Sequence, residues 1–284
     1  MPTGLAQYVR RINAKHHGSP AEFASKCQEH GMQWMALAGP WHDTRGERMI
    51  NDAETCRSYL DALADAGVEP YVWGYPWQGN EEAFVRQMRE CAGDHRRGLL
   101  DSELGANPRK KPSGVGFEKA EAHAVRLVDL MASEGFERCG LSSFGSGVKM
   151  GWFPMRAFIL RLLERFDARC FVGGQTYTEN KRIDASMADY IKAVKDAGAS
   201  LVVPGKPGGD IALVPNFGQY KRVHGKTLSK TPEELYSHLG EFIDENEPVS
   251  ALIGWAENFC TPGQWRMLQR FAVQIERGAC SLPL

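Results

Sequence analysis

Short apolar runs alternate along the chain with longer stretches whose apolar residues recur at helical spacing. The apolar runs predict strands at Leu5–Ile12, Gln33–Ala38, Pro70–Tyr75, Gly98–Glu103, Cys139–Phe144, Arg169–Tyr177 and Ser250–Glu257. The amphipathic stretches predict helices at Ala53–Ala66, Glu81–Cys91, Glu118–Ser133, Met155–Phe166, Ser186–Ala197 and Pro232–Asn246. One further strand, the seventh in chain order, falls either at Leu201–Pro204 or at Ile211–Pro215.

The repeating unit of one strand and one helix is roughly 30–40 residues long, and its strands are too apolar to have a face in water. Both features are typical of βαβ units in a parallel sheet. In a chain of 284 residues, eight such units favour a closed (β/α)8 TIM barrel, an α/β fold, as a single domain spanning residues 1–284. The first strand–helix connection lacks the G-x-G-x-x-G sequence, which argues against a dinucleotide-binding sheet.

Composition and charge remove several classes of function. A formal net charge of −1 leaves no surplus of Lys and Arg for phosphates, so we expect no binding to nucleic acid. The sequence contains no stretch of about 18 apolar residues, so we predict no membrane span. Seven cysteines without a Cys-x-x-Cys pair indicate reduced thiols. Residues 1–7 contain no apolar signal segment, so we expect synthesis in the cytoplasm without a signal peptide. The sequence leaves the oligomeric state open.

Two carboxylates lie at the end of the fourth predicted strand. Asp101 and Glu103 are separated by one residue, so their side chains point to the same side of that strand. In a parallel barrel, the C-terminal ends of the strands build the active site. Two like charges held this close push their proton affinities apart, which provides an acid and a base from the same chemistry. The pair therefore predicts acid–base catalysis at the mouth of the barrel.

The other strand ends carry aromatic, amide and acidic residues that suit a sugar. Aromatic rings stack on the apolar faces of pyranose rings, while amides and carboxylates bind the hydroxyl groups. The candidate substrate-binding residues are Trp73, Tyr75, Gln175, Tyr177, Glu179 and Trp255. Trp34 and Trp152 do not lie at the C-terminal end of a strand, and we expect both to pack in the core. We therefore predict that the partner is a polysaccharide.

If the protein cleaves this polysaccharide, hydrolysis of the glycosidic bond needs two carboxyl groups, or one carboxyl group and a substrate group, and the acidic residues at the strand ends can supply them. Glu103 has the longer side chain and is the predicted general acid, while Asp101 raises its proton affinity. Glu257, at the end of the eighth strand, would face Glu103 across the barrel and is the predicted catalytic partner, with Glu179 as the alternative. Hard metal ions also accept such oxygen ligands. Because no histidine lies among these strand-end acids, we predict neither a metal nor a cofactor.

The sequence Leu100-Asp101-Ser102-Glu103 resembles the end of the fourth strand in family 25 lysozymes, which are TIM-barrel glycoside hydrolases of phage and bacterial origin. The resemblance covers this short motif and the predicted strand count. It implies that Glu103 is the catalytic carboxyl, that Asp101 supports it, and that the substrate is peptidoglycan. A phage origin implies an enzyme that is associated with the virion or released by lysis.

Two other functions stay open at this point. One is a non-catalytic barrel, such as a virion component, that binds glycan through its aromatic mouth. It is favoured by the stretch Gln7–Asn13, which contains no acid where family 25 lysozymes have one. The other is a metal-assisted barrel enzyme that acts on a small polar substrate. Replacement of Glu103 tests the first alternative, and dependence on a divalent ion tests the second.

Overall fold

The computed structural model describes residues 4–43, 46–102, 117–144, 153–177, 183–202, 207–214, 216–218, 251–254, 266 and 269–270. The strands are β1 (Gly4–Val9), β2 (Trp34–Asp43), β3 (Gly46–Met49), β4 (Glu69–Tyr75), β5 (Arg97–Asp101), β6 (Arg138–Phe144), β7 (Cys170–Tyr177), β8 (Ala212–Leu213), β9 (Asn216–Gly218) and β10 (Ala251–Gly254). The helices are α1 (Ala14–His17), α2 (Pro20–Glu29), α3 (Ala53–Asp65), α4 (Glu81–Ala92), α5 (Phe117–Ser133), α6 (Met155–Phe166) and α7 (Ile183–Asp196), with a 3-10 turn at Asp167–Arg169.

Eight parallel strands pair in a closed ring. Their order around the ring is β1, β2, β4, β5, β6, β7, β9 and β10, and β10 pairs with β1 to close it. Closure gives every strand of the ring a hydrogen-bonded neighbour on both sides, which a cylinder of tilted strands requires. The predicted (β/α)8 fold is confirmed. The predicted helix Pro232–Asn246 lies outside the described residues.

The seventh strand of the ring, β9, begins one residue after the second predicted run, Ile211–Pro215, and lies in neither of the two predicted runs. Leu201, in the first run, makes only an isolated parallel bridge to Ile211. From Ala212 onwards the chain lies along β7, first as β8 and then as β9, in which Asn216 pairs with Gln175. β9 then pairs with β10 and carries the ring towards β1. The ring strand therefore lies slightly later in the sequence than the apolar run alone indicates.

Alternate residues of the strands face outwards and pack against the helices in one continuous apolar layer. Buried strand residues of this layer are Leu5, Val9, Met35, Leu37, Val72, Leu100, Leu141 and Val172. The helices contribute their own apolar stripes, among them Leu60, Leu63, Phe84, Met88, Leu127, Met131, Phe158 and Leu162. A capping box begins α2, since the side chains of Ser19 and Glu22 each accept from the other residue's backbone N–H.

The inward-facing residues fill the barrel with aromatic rings. Trp34 meets Tyr71 and Phe171 edge-on, with ring centroids 5.1 and 5.7 Å apart, respectively. Smaller residues on neighbouring strands make room for these rings: Ala6, Ala36, Ala38 and Gly140. Trp34 is fully buried, which confirms the prediction that it packs in the core. Trp152 lies outside the described residues.

At the N-terminal end of the barrel, an ion-pair cluster joins β4, β5 and β6. Glu69 forms ion pairs with Arg97, whose Nε lies 2.9 Å from Glu69 Oε1, and with Arg138. The strand register places these three residues on the inward face, below the aromatic layer. This cluster occupies the interior at the N-terminal end, away from the C-terminal end at which barrel enzymes build their active sites.

Some boundaries differ from the sequence prediction. β1 ends at Val9 rather than Ile12, while β2 runs on to Asp43 rather than stopping at Ala38. The extension of β2 pairs with β3 in an antiparallel hairpin that the sequence analysis did not predict. Among the described residues, no helix combines the length and apolar character needed to span a membrane.

We expect Gly140→Ala to lower the free energy of unfolding by about 1–3 kcal/mol, because a Cβ atom at this position would overlap the Phe171 ring. Phe171→Leu shortens that ring and costs about 1–2 kcal/mol by itself. The double variant should lose less than the sum of the two single losses. Urea unfolding of the four proteins measures this coupling, and strictly additive losses would contradict the packing described.

Candidate active site

Asp101 lies at the mouth of the barrel on its inward face. It is the last residue of β5, the fourth strand of the ring, and it is 1% exposed. Residues paired in adjacent parallel strands share one face, and the partners of Leu99 are the inward residues Trp73 and Gly140. Asp101 follows Leu99 by two residues, so it shares that face one layer nearer the mouth. The predicted carboxylate therefore lies where a barrel enzyme places its chemistry.

The neighbours of Asp101 in the same layer are small. Its register partner on β6 is Ser142, and the partner of Ser142 on β7 is Gly173. The backbone N–H of Ser102 donates to the carbonyl of Ser142 at 3.0 Å, which continues the pairing one residue past β5. Ser142 and Ser102 are buried like Asp101, and Glu103 lies outside the described residues.

The two predicted aromatic residues of β4 differ in depth. Trp73 is 1% exposed and donates from Nε1 to the carbonyl of Val9 at 3.3 Å, so it belongs to the packed interior. Tyr75 lies one layer higher, is 3% exposed, and stacks on Trp41 with ring centroids 4.6 Å apart and planes 14° apart. Trp41 is only partly buried and is the outermost of the three rings.

A shift in the β2–β4 register between Ala38 and Trp41 places the Trp41 ring over the mouth. Without this irregularity, a residue three positions after the inward-facing Ala38 would face the helices. Trp41 Nε1 donates to Asp43 at 2.9 Å, and Asp43 also accepts from Arg48 at 2.9 Å. We call Arg10, Trp41, Asp43, Arg48 and Tyr75 the Trp41 platform. Sequence reasoning did not select Trp41 as a binding residue, because this placement depends on the register shift.

The remaining predicted site residues are only partly covered by the structure. Glu103, Glu179, Glu257 and Trp255 lie outside the described residues, and their roles stay predictions. Gln175 and Tyr177 lie in the C-terminal half of β7, where Gln175 pairs with Phe144 and Asn216 in the register. The ring order does place β10, the strand before Glu257, directly opposite β5.

An ion pair between α4 and α5 supports the rim beside β4. His123 donates from Nδ1 to Glu81 Oε1 at 2.7 Å, and the backbone N–H of Gly79 donates to the same oxygen at 3.1 Å. Burial raises the pKa of Glu81, but the hydrogen bonds from His123 and Gly79 outweigh it and hold that pKa at about 2. The pair fixes the loop between β4 and α4, which follows Tyr75.

In the described part of the chain, no group of three or more His, Cys, Asp or Glu side chains is placed to hold a metal ion. The described cysteines are free and buried: Cys27, Cys56, Cys91, Cys139 and Cys170. Burial raises the pKa of the Cys170 thiol to about 12, which keeps it protonated and unreactive.

The fold and the inward carboxylate define a closed (β/α)8 barrel with an acidic residue at its mouth. In fold it is similar to a GH18 chitinase from Pseudoalteromonas aurantia, with a TM-score of 0.59 and 9% identity over 95% of this chain and 99% of the other. A class V chitinase from Pseudomonas fluorescens gives a TM-score of 0.57 and 11% identity, covering 94% and 99% of the two chains.

A spore cortex-lytic enzyme from Bacillus megaterium has a TM-score of 0.54 and 11% identity over 94% of this chain and 73% of its own. No family model and no curated sequence matches the chain. At these identities the likeness establishes the fold. The finer resemblance to family 25 lysozymes receives no support from these structures, which are chitinases and a cortex-lytic enzyme.

The Glu81–His123 pair predicts a pH-dependent contribution to stability. The pKa of Glu81 lies below its ordinary value of 4.5, so its ionisation stabilises the fold above that pH and the contribution is lost as the pH falls towards 2. We expect Glu81→Gln to cost about 3 kcal/mol near pH 7 and roughly half of that near pH 3. Urea unfolding at a series of pH values measures the difference.

Glu54→Gln is the matched control for this measurement. Glu54 lies in the first turn of α3, as Glu81 does in α4, but it is exposed. Both changes remove a charge that favours a helix N-terminus, so their difference isolates the contact with His123. Equal losses for the two variants at every pH would show that the ion pair contributes nothing.

Proposed function

We propose that this protein is a glycoside hydrolase that cleaves a polysaccharide of N-acetylated sugars by carboxylate acid–base catalysis. The observation that carries the proposal is the position of Asp101. A carboxylate at the C-terminal end of the fourth ring strand lies inside the mouth, one layer above the aromatic filling. Barrel enzymes build their active sites at this end, and the aromatic side chains beside it suit a sugar.

Glu103 is proposed as the general acid that protonates the oxygen of the leaving sugar. Asp101, two residues before it, raises the proton affinity of Glu103 by like-charge repulsion and orients the reacting group. The second group is either Glu257 from the opposite side of the ring or the acetamido group of the substrate itself. A substrate group can replace the second carboxylate in some glycosidases.

The substrate class draws support from the proteins of similar fold. Two of them are chitinases and one lyses the spore cortex. Chitin and peptidoglycan both contain β-linked N-acetylglucosamine, so these two polymers are the first to test. Peptidoglycan is the substrate that the sequence resemblance implies.

A second candidate is a barrel that binds glycan without cleaving it. It is favoured by the end of β1, where the chain continues after Val9 as Arg10-Arg11 and presents cations rather than an acid. This candidate keeps the aromatic mouth and the glycan partner. It differs from the first in predicting that Glu103 is dispensable.

We expect the wild-type protein to release reducing ends from chitin or peptidoglycan, and Glu103→Gln to lower the rate by about 10²–10⁴-fold, because it keeps the shape of the side chain and removes its proton. Asp101→Asn should lower the rate less and shift its pH dependence. Reducing-end release at several pH values measures both effects.

Glu121→Gln, on α5, is a control because it makes the same chemical change away from the mouth. It should leave the rate unchanged. Binding of glycan without cleavage by wild type and Glu103→Gln alike would refute the hydrolase and support the second candidate.

A further inference from the structure

Two guanidinium groups gather over one ring at the mouth of the barrel. In the Trp41 platform, Cζ of Arg10 lies 5.0 Å from the Trp41 ring centroid and Cζ of Arg48 lies 5.8 Å from it. Cation–π attraction at these distances holds the guanidinium groups against the indole. Since Tyr75 stacks on the same ring, Trp41 serves as the base on which the arginines are held.

The β2–β3 hairpin places Glu47, an exposed acid, on the face opposite to Trp41 and Arg48. Trp41 pairs with Arg48 and therefore shares a face with it, whereas Glu47 pairs with His42 on the opposite face. The acid on the platform face is Asp43, and its carboxylate accepts from both Trp41 and Arg48. Asp43 thus balances one of the two arginine charges and leaves one positive charge over.

Each of the two arginines has donors that no described residue accepts from. Arg10 is exposed, and among the described residues it forms no ion pair with a carboxylate. Nε of Arg48 is buried and has no hydrogen-bond partner there. A guanidinium group presents its N–H groups in a planar fork that matches a carboxylate or a phosphate in two parallel bonds. A neutral sugar needs no such pair of charged forks.

We propose that the Trp41 platform binds an acidic group carried by the saccharide, a carboxylate or a phosphate, so that the substrate is an anionic polysaccharide. This inference rests on the proposed function, since it assigns part of the same mouth to the substrate. Chitin carries no acidic group, so the inference favours a polymer with acidic substituents over chitin.

The test compares a neutral ligand with two derivatives that carry an added acidic substituent. Calorimetry would measure binding of the N-acetylglucosamine hexamer, its 6-O-carboxymethyl derivative and its 6-phosphate derivative to the full chain carrying Glu103→Gln, which prevents cleavage. We expect at least one acidic hexamer to bind about fivefold more tightly than the neutral one at low salt, and the preference to shrink at high salt. The tighter of the two acidic hexamers identifies the group.

Arg10→Gln, added to the same protein, should abolish this preference by lowering the affinity for the acidic hexamers towards that for the neutral hexamer. Arg11→Gln is the matched control, because Arg11 is the next residue, is also exposed, and is not stacked on Trp41. Arg48→Lys keeps the charge but removes the fork, and should reduce the preference in part. Both Arg10 and Arg11 are exposed, so neither change removes buried packing.

The possible outcomes distinguish a failure of the acidic subsite from a failure of the proposed function. Equal affinity for neutral and acidic hexamers would overturn the acidic subsite and leave the glycan site standing. If Arg10→Gln and Arg11→Gln lost the preference for acidic hexamers equally, the preference would come from the overall charge of the protein. That result would also overturn the acidic subsite. No binding of any hexamer would refute the proposed function and, with it, the inference.

Discussion

A closed ring of eight parallel strands encloses an interior of fixed width, and the filling of this interior determines what reaches the mouth. Aromatic side chains from β2, β4 and β7 meet at the centre, and alanines on β1 and β2 and a glycine on β6 make room for them. A Cβ atom at Gly140 would already overlap Phe171. Because these layers are close-packed, the polar residues of the barrel interior at this end lie in the next layer towards the C-terminal ends of the strands.

That next layer is asymmetric, and its asymmetry comes from the strand ends. On the β5–β6 side it holds the carboxylate of Asp101 beside the hydroxyl of Ser142. On the β1–β2 side the register shift in β2 turns Trp41 over Tyr75, and the β2–β3 hairpin brings Arg48 next to it. One irregularity in a single strand therefore converts an ordinary strand end into a charged platform.

The sequence predicts the repeating architecture well because its signals are local. The apolar residues of α6 recur at helical spacing and predict the helix at its observed bounds, Met155–Phe166. The inward position of Asp101 follows from the alternation of side chains along a strand. Depth within the barrel is not a local property: Trp73 and Tyr75 share a face, yet Trp73 packs in the interior. The contacts of Arg10 with Trp41 and of Glu81 with His123 join residues from different units, so no pattern along the chain reveals them.

The distribution of charge at the mouth has a consequence for how a ligand would lie there. Asp101 is on the fourth strand of the ring, while the arginines of the Trp41 platform are on the first two strands and their hairpin. An anionic saccharide would be repelled on the β5 side and attracted on the β1–β2 side, so its acidic group would point away from Asp101. A neutral glycosidic bond would then face Asp101. Under the proposed function, Arg10 after β1 and Arg48 on β3 would orient the substrate, while Asp101 lies two strands further round the ring from β2.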